Sequence, residues 1–221
     1  MMSLLNNLRI SFFLFFLFVS IQPAHGFDAE NIARQVQEKY DAITSIEAQF
    51  QQRTTLSGLS GRTQTGSGVM VIQKPGQLRW DYETPRRQIL VCDGEDVSFY
   101  LAREKQLIVS KASTYLDEDL TYAFFTGRGN LRTDFLIEAA QEELAEPGSY
   151  CLRLTPKKPH GQVNHLFLWV AEESFEMKRI RLVDHLESIT DISFTNMVFN
   201  KTFADSFFLF VPPPGTEIIL Q

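Results

Sequence analysis

The sequence predicts a mainly β fold with a few helices, arranged as a sandwich or a barrel. Residues 66–94 alternate apolar and polar side chains at period two, in three strands separated by Pro-marked turns. Turn signals recur along the chain at spacings of roughly 8–12 residues, as in sandwiches and barrels. Stretches such as 69–72 and 166–169 are apolar on both faces, whereas a strand in a sheet with one solvent-exposed face would be polar on that face. Together these features predict one curved sheet wrapped around helices at 29–43 and 114–126.

The first of these helices is amphipathic. Asp28 is suited to be its N-cap, because a carboxylate there can accept from the first unpaired amides of the helix. Apolar residues follow at helical spacing. The predicted polar face consists of Arg34, Gln37, Glu38 and Lys39. A helix of this kind must cover an apolar surface elsewhere in the molecule.

The remaining elements follow from alternation and from turn residues. Residues 114–126 form a short stripe that is apolar on one side, bounded by Gly127, and have the properties of a lid as much as of a packed helix. Residues 130–143 are ambiguous between helix and strand. The Gly- and Ser-rich stretch 57–61 predicts a hairpin tip. Further strands are predicted at 46–51, 97–101, 107–110, 150–154, 166–170, 176–183, 189–199 and 206–210.

The N-terminal segment, residues 1–26, has the pattern of a secretory signal peptide. A basic Arg9 precedes an apolar run at 10–21, and small residues follow near Gly26. The run is shorter than the about 20 residues that a membrane-spanning helix needs. We therefore expect an exported chain that is cleaved near Gly26, with 27–221 as a single domain. Since no cysteine directly follows the leader, we do not expect a lipid anchor.

Composition and motifs disfavour several functional classes. The net charge of −6 without a basic run disfavours nucleic-acid binding. The four histidines have no ligand-like spacing, and no nucleophile elbow or phosphate-binding loop occurs. We therefore expect no enzyme, no metal and no cofactor, although carboxylates that meet only in space leave a hydrolase open.

The two cysteines of the mature chain leave two alternatives. Cys92 and Cys151 both fall in predicted strands. In an oxidising compartment they could form a disulfide, which requires Cα atoms within bonding distance. The other interpretation is two small buried hydrophobic residues.

Residues 74–94, KPGQLRWDYETPRRQILVCDG, resemble the signature segment of the periplasmic outer-membrane lipoprotein carrier family (LolA). The resemblance extends over the leader, the N-terminal helix, the strand IEAQFQQRT and the Phe-rich C-terminal part that runs into VPPPGTEI. It implies an incomplete, strongly curved antiparallel β-barrel covered by a helical lid.

The resemblance also implies a function. Such a carrier is a periplasmic monomer that shields the acyl chains of lipoproteins released from the inner membrane. An inner-membrane ABC-type exporter would load it, and an outer-membrane receptor lipoprotein would receive the cargo. The alternative is a carrier of another lipid or glycolipid on the same fold.

Specific residues match the family pattern. Leu78, Trp80 and Leu90 match positions that line the cavity mouth, and Phe50 is a candidate wall residue. Lys74 occupies a position where the family usually has Arg, which is thought to bond carbonyls of the lid and keep the cavity shut. Without the resemblance, Lys74 reads as a solvated turn charge and the other four as ordinary core.

Overall fold

The computed structural model describes residues 27–58, 61–117, 124, 126 and 129–221, so the predicted signal peptide lies outside the described residues. The described strands form one twelve-stranded sheet in the order β12-β6-β5-β4-β3-β2-β1-β11-β10-β9-β8-β7. Neighbouring strands run antiparallel, except that β12 pairs with β6 in parallel. Because β12 and β7 lie at opposite edges, the sheet stays open, which confirms the predicted incomplete, curved architecture.

The strands match the predicted series, with a few differences described below. They are β1 Ser45–Thr55, β2 Thr63–Gln73, β3 Gln77–Thr84, β4 Gln88–Cys92, β5 Asp96–Leu101, β6 Gln106–Lys111, β7 Phe135–Ala139, β8 Ser149–Pro156, β9 His165–Ala171, β10 Met177–Val183, β11 Ile189–Phe199 and β12 Glu217–Leu220.

Helix α1 (Ala29–Ala42) begins where the sequence predicts. The Asp28 carboxylate accepts a hydrogen bond from the Asn31 amide at 3.0 Å, which caps the first turn. Among the described residues, the short helices whose bounds are defined are α2 (Ala112–Asp117) and α3 (Leu131–Asp134). Among the described residues, no helix has the length and apolar character required to span a membrane.

The concave face of the sheet holds the larger hydrophobic core. Inward side chains of most strands form one connected cluster with the apolar stripe of α1, and α1 itself packs against α3, β7 and β8. The buried residues of α1 are Ile32, Ala33, Val36, Gln37 and Tyr40. Gln37 was predicted on the polar face, and this prediction is wrong: the side chain is buried because its amide oxygen accepts from the Leu131 backbone.

The convex face carries a second, smaller core, covered by the C-terminal segment. Outward residues of β2, β4 and β6 pack there against phenylalanines of residues 203–210. The predicted strand at 206–210 is wrong, since Asp205–Phe208 form a 3-10 turn. Phe207 and Phe208 are adjacent and both pack on this face, which the alternation of a strand would not allow. The final strand β12 was not predicted.

Two other segments are now defined. The ambiguous stretch 130–143 contains α3 and then β7, because the Asn130 side chain caps a single helical turn. In the predicted lid helix at 114–126, α2 ends at Asp117, and residues 118–123, 125, 127 and 128 lie outside the described residues. Of the described lid residues, Phe124 and Thr126 are buried.

Candidate functional site

Three aromatic residues of the concave face meet around one position of β2 that has no side chain, Gly68. Phe50 of β1 and Tyr82 of β3 are both register partners of Gly68 in the intervening β2. Because glycine leaves this position open, the Phe50 and Tyr82 rings approach to 4.9 Å between centroids, nearly perpendicular to each other. Phe50 makes a similar contact with Trp80, also at 4.9 Å. The result is a continuous aromatic wall on the concave face.

The structure brings together the four residues predicted to contact acyl chains. Phe50, Leu78, Trp80 and Leu90 all belong to the concave core, and their exposed fractions lie between 1% and 4%. Trp80 is the register partner of Leu90 in the adjacent strand. An acyl chain can contact these side chains only after atoms that now cover them move. Their role in binding stays a prediction.

Lys74 lies at the end of β2, where it contacts α1. Its half-buried ammonium group donates a hydrogen bond to the backbone carbonyl of Tyr40, in the last turn of the helix. A cation is favourable there because the carbonyls at a helix C-terminus carry partial negative charge, and the Tyr40 carbonyl, which also accepts from the Ile43 amide, has a second lone pair. Burial lowers the pKa of Lys74, and the nearby Asp41 carboxylate partly opposes this change.

The contact with α1 relates Lys74 to the predicted lid indirectly. The ring of Tyr40 packs against the ring of Phe124, 5.5 Å between centroids, and Phe124 belongs to the predicted lid. The clasp was predicted to reach lid carbonyls, whereas the carbonyl bound in the structure belongs to α1. A clasp of Lys74 on the lid itself stays a prediction.

Sequence reasoning missed Tyr40 and Gln37 as anchors of α1. The Tyr40 hydroxyl accepts from the Met177 amide at 3.0 Å, and burial raises its pKa. The Gln37 side chain accepts from the Leu131 amide at 2.9 Å. A tyrosine within the apolar stripe was a signal for the first anchor, since a buried tyrosine needs a hydrogen-bond partner for its hydroxyl.

The hairpins β1–β2 and β3–β4 turn at the same end of the sheet, which we call the open end. This end contains a polar cleft of about 570 Å³. It is lined by Gln52, Thr54, Arg62, Thr63, Gln64, Thr65, Gly66, Tyr82, Thr84, Pro85, Arg86 and Gln88. The Tyr82 hydroxyl donates to the Gln52 side chain at 2.8 Å, at the border between this cleft and the aromatic wall. A second cleft of about 590 Å³ adjoins it and extends to Arg179, Arg181 and Asp191.

The two cysteines are not joined to each other. Cys92 belongs to the concave core, whereas Cys151 projects from the other face of β8, as its inward neighbour Leu152 shows. Six strands lie between β4 and β8 in the sheet. The structure thus favours two buried thiols over the disulfide. Burial, and to a lesser degree Glu146, raises the pKa of the Cys151 thiol to about 12.

The histidines of the described residues do not form a catalytic or metal-binding cluster. No group of three or more His, Cys, Asp or Glu side chains in the described part of the chain could hold a metal ion. His165 packs at the edge of the Phe167 ring on the convex face. Its pKa is lowered, mainly by burial and then by Arg153.

Comparison with known proteins agrees with this architecture. Residues 41–211 match the family model described as outer membrane lipoprotein carrier protein LolA. An outer-membrane lipoprotein carrier protein of Pseudomonas syringae pv. tomato is 29% identical over 91% of this chain and 93% of its own. One from Methylococcus capsulatus is 27% identical over 80% of this chain and 82% of its own.

A solved structure shows the same fold. An uncharacterized conserved protein from Thermus thermophilus superimposes with a TM-score of 0.56 at 11% identity, over 87% of this chain and 99% of that protein. At this identity the likeness concerns the fold alone. The family match, by contrast, spans most of the sequence and includes both the aromatic wall and Lys74. The chain belongs to the outer membrane lipoprotein carrier (LolA) family.

Proposed function

We propose that this chain carries lipoproteins through the periplasm and shields their acyl chains on the concave face of its sheet. The observation that carries the proposal is the aromatic and aliphatic wall of Phe50, Leu78, Trp80 and Leu90 on one face of an open sheet. Membership of the carrier family supports it independently. The finer steps, cleavage near Gly26, loading by an inner-membrane ABC-type exporter and delivery to an outer-membrane receptor, belong to the same proposal.

The free energy of burial explains why such a wall suits this cargo. Each methylene group that leaves water contributes about 0.8 kcal/mol, so one acyl chain contributes on the order of 10 kcal/mol. Apolar contacts are not directional, and a wall of this kind therefore tolerates chains of different length. The same lack of direction allows release to a receptor with a comparable apolar surface.

Loading requires that the cover of the wall move. The polar contacts that attach helix α1 include the Lys74 and Tyr40 bonds, the Gln37 bond and two ion pairs, Lys39 with Glu176 at 3.3 Å and Arg132 with Glu30 at 3.8 Å. We propose that this cover exchanges between two arrangements that differ by a few kcal/mol, because these side-chain bonds can break without unpairing any strand of the sheet. We propose that Lys74 biases this equilibrium towards the closed arrangement.

A matched pair of substitutions tests the site. Phe50 on the concave face and Phe208 on the convex face are both almost fully buried. Phe50→Leu and Phe208→Leu should each reduce the free energy of unfolding by about 1–2 kcal/mol. Only Phe50→Leu should weaken binding of a synthetic triacylated lipopeptide, measured by displacement of a neutral fluorescent apolar probe. We expect a loss of about fivefold or more, since removal of ring contacts costs about 1 kcal/mol.

The comparison contains its own control. Equal stability losses with unequal binding locate the acyl chains on the concave face. Equal effects of both variants on binding would remove the aromatic wall from the proposal. Absence of lipopeptide binding by the unaltered protein would contradict the carrier function itself.

A further inference from the structure

The arginines of this protein fall into two groups. Within the described part of the chain, six of them form ion pairs with carboxylates: Arg34, Arg79, Arg132, Arg153, Arg179 and Arg181. No such pair is formed by the other five described arginines: Arg53, Arg62, Arg86, Arg87 and Arg103. All five lie at the open end of the sheet, in or beside the hairpins β1–β2, β3–β4 and β5–β6.

These five arginines without an ion pair belong to a chain with a net charge of −6, and carboxylates are nearby: Arg53 is the register partner of Asp191, and Glu104 follows Arg103. Arg62 and Arg86 line the polar cleft, and no carboxylate is among its lining residues. Glu83 is close in sequence, but it is the extra residue of a bulge in β3 and does not line the cleft. The other polar groups of the cleft are hydroxyls and amides, which also donate hydrogen bonds.

The cleft is continuous with the apolar wall through one residue. Tyr82 lines the cleft, and its ring contacts Phe50 and stacks near Trp80 at 6.5 Å between centroids. An amphiphile placed here would have its polar group beside Arg62 and Arg86 and its hydrocarbon directed towards the wall. The cleft volume of about 570 Å³ lies within the range of small-molecule sites.

We propose that the cleft at the open end binds the phosphate of a lipid head group whose acyl chain enters the concave face. Two guanidinium groups with planar forks of donors suit a phosphate, which has enough oxygens to accept from both of them. This inference rests on the proposed function, because it assigns the head-group end of the same acyl-chain site. It adds phosphate-bearing lipids to the cargo.

Two lipids that differ only in the phosphate test the proposal. The two lipids are 1-palmitoylglycerol 3-phosphate and 1-palmitoylglycerol, both used below their micelle-forming concentrations. Their affinities are measured by how well each displaces a neutral fluorescent apolar reporter from the protein. We expect the phosphate-bearing lipid to bind about tenfold more tightly, since a charge-assisted hydrogen bond contributes roughly one factor of ten. Glycerol 3-phosphate alone should compete at least about a hundredfold less well, because it has no chain to bury.

Substitutions then locate the phosphate. The double variant Arg62→Gln/Arg86→Gln should bring the two lipids to nearly equal affinity while 1-palmitoylglycerol binds as before. Arg103→Gln is the matched control, since Arg103 is exposed, lies at the same end and does not line the cleft. It should leave the preference intact.

The outcomes separate the inference from the function on which it rests. Equal affinity of the unaltered protein for both lipids, or a preference that survives in the double variant, would overturn the inference and leave the carrier function standing. Glycerol 3-phosphate binding as tightly as the lipid would indicate a site for soluble phosphate and also overturn it. Binding only to vesicles that contain anionic lipid would indicate membrane docking instead. Failure of both lipids to bind would contradict the carrier function.

Discussion

The concave and convex faces of strands β2 to β4 are both apolar and buried, yet their covers differ in how they are attached. On the convex side, residues 203–210 lie between two main-chain anchors: the Asn200 amide donates to the Ser45 carbonyl, and β12 pairs with β6. On the concave side, α1 packs against α3, β7 and β8, and side-chain bonds attach it to the end of β2 through Lys74 and to α3 through Gln37. The convex cover is therefore anchored through the main chain on both sides, whereas movement of the concave cover is part of the proposed function.

This difference separates packing from function. A buried apolar face is not by itself a binding site, because here the chain covers its convex face with its own C-terminal segment. A face whose cover is attached by few polar bonds can exchange that cover for a ligand. Three substitutions test this comparison.

The largest effect on stability is expected at Gly68, where β2 has no room for a side chain. In Gly68→Ala the added Cβ would lie 1.8 Å from the Asp81 carbonyl oxygen, a backbone atom that cannot move aside independently. We expect a loss of more than about 3 kcal/mol in the free energy of unfolding, or no folded protein. Chemical denaturation followed by circular dichroism measures this.

Gly161→Ala is the control for this substitution. A Cβ at Gly161 meets no atom within 4 Å, so stability should change by no more than about 0.5 kcal/mol. A Gly68→Ala protein as stable as the Gly161→Ala protein would show that β2 and β3 can adjust at the bulge to admit a side chain.

An intermediate effect is expected at the attachment of the convex cover. Arg79 donates to the Phe207 carbonyl at 3.0 Å, its guanidinium lies 5.1 Å from the centre of the Phe207 ring, and it pairs with Asp81 at 2.9 Å. Arg79→Met should cost about 2 kcal/mol, since it removes these contacts and leaves Asp81 partly buried without its partner.

Hydrogen exchange distinguishes a local from a general effect of Arg79→Met. Amides of residues 203–210 should exchange faster, while lipopeptide binding on the concave face stays unchanged. Arg34→Met removes an exposed pair with Glu38 on α1 and should cost less than about 0.5 kcal/mol. Loss of lipopeptide binding in Arg79→Met would contradict the separation of the two faces.

The smallest effect on stability is expected for the concave clasp. Lys74→Met removes the bond to the Tyr40 carbonyl, but it also removes the cost of partly burying a charge. The free energy of unfolding at pH 7 should therefore change by less than about 1 kcal/mol. Exchange of α1 amides should nevertheless increase, and lipopeptide loading should become faster. Lys74→Arg should restore slow exchange, because it can make the same bond to the carbonyl.

The pH dependence gives an independent readout for Lys74. Burial lowers the pKa of Lys74 in the folded state below its ordinary value of 10.5. Between these two pKa values the unfolded chain binds more protons, so this group makes stability rise with pH. In Lys74→Met, the free energy of unfolding should lack this rise in the pH range just below 10.5. Because the raised pKa of Tyr40 acts in both proteins, the difference between their curves isolates Lys74. Identical curves would show that Lys74 is fully solvated.

The local signals of the sequence were sufficient for most elements. Asp28 followed by apolar residues at helical spacing defined α1 to within a residue, since capping and amphipathicity are properties of neighbouring positions. The alternation in residues 66–94 defined β2 to β4 for the same reason. It failed at 206–210, where adjacent phenylalanines pack on a distant part of the sheet and tertiary contacts override the strand pattern.

The sequence predicted which residues line the candidate site, but it did not predict the hydrogen bonds that attach α1 to the rest of the molecule. The resemblance selected Phe50, Leu78, Trp80 and Leu90, and the fold places all four on one face. The burial of Gln37 and the contact of Lys74 with Tyr40 depend on how α1 lies against the sheet. No spacing within the sequence encodes that arrangement.

The sequence by itself determined the strands, the amphipathic helix and the apolar character of both faces, because these depend on residues close together along the chain. Only the tertiary structure decided which distant segments cover each apolar face, namely residues 203–210 on the convex side and α1 within the concave core. It also decided that five arginines lie without carboxylate partners at the open end. Both results depend on which distant segments meet when the sheet curves, and that is set by the sum of many weak long-range contacts.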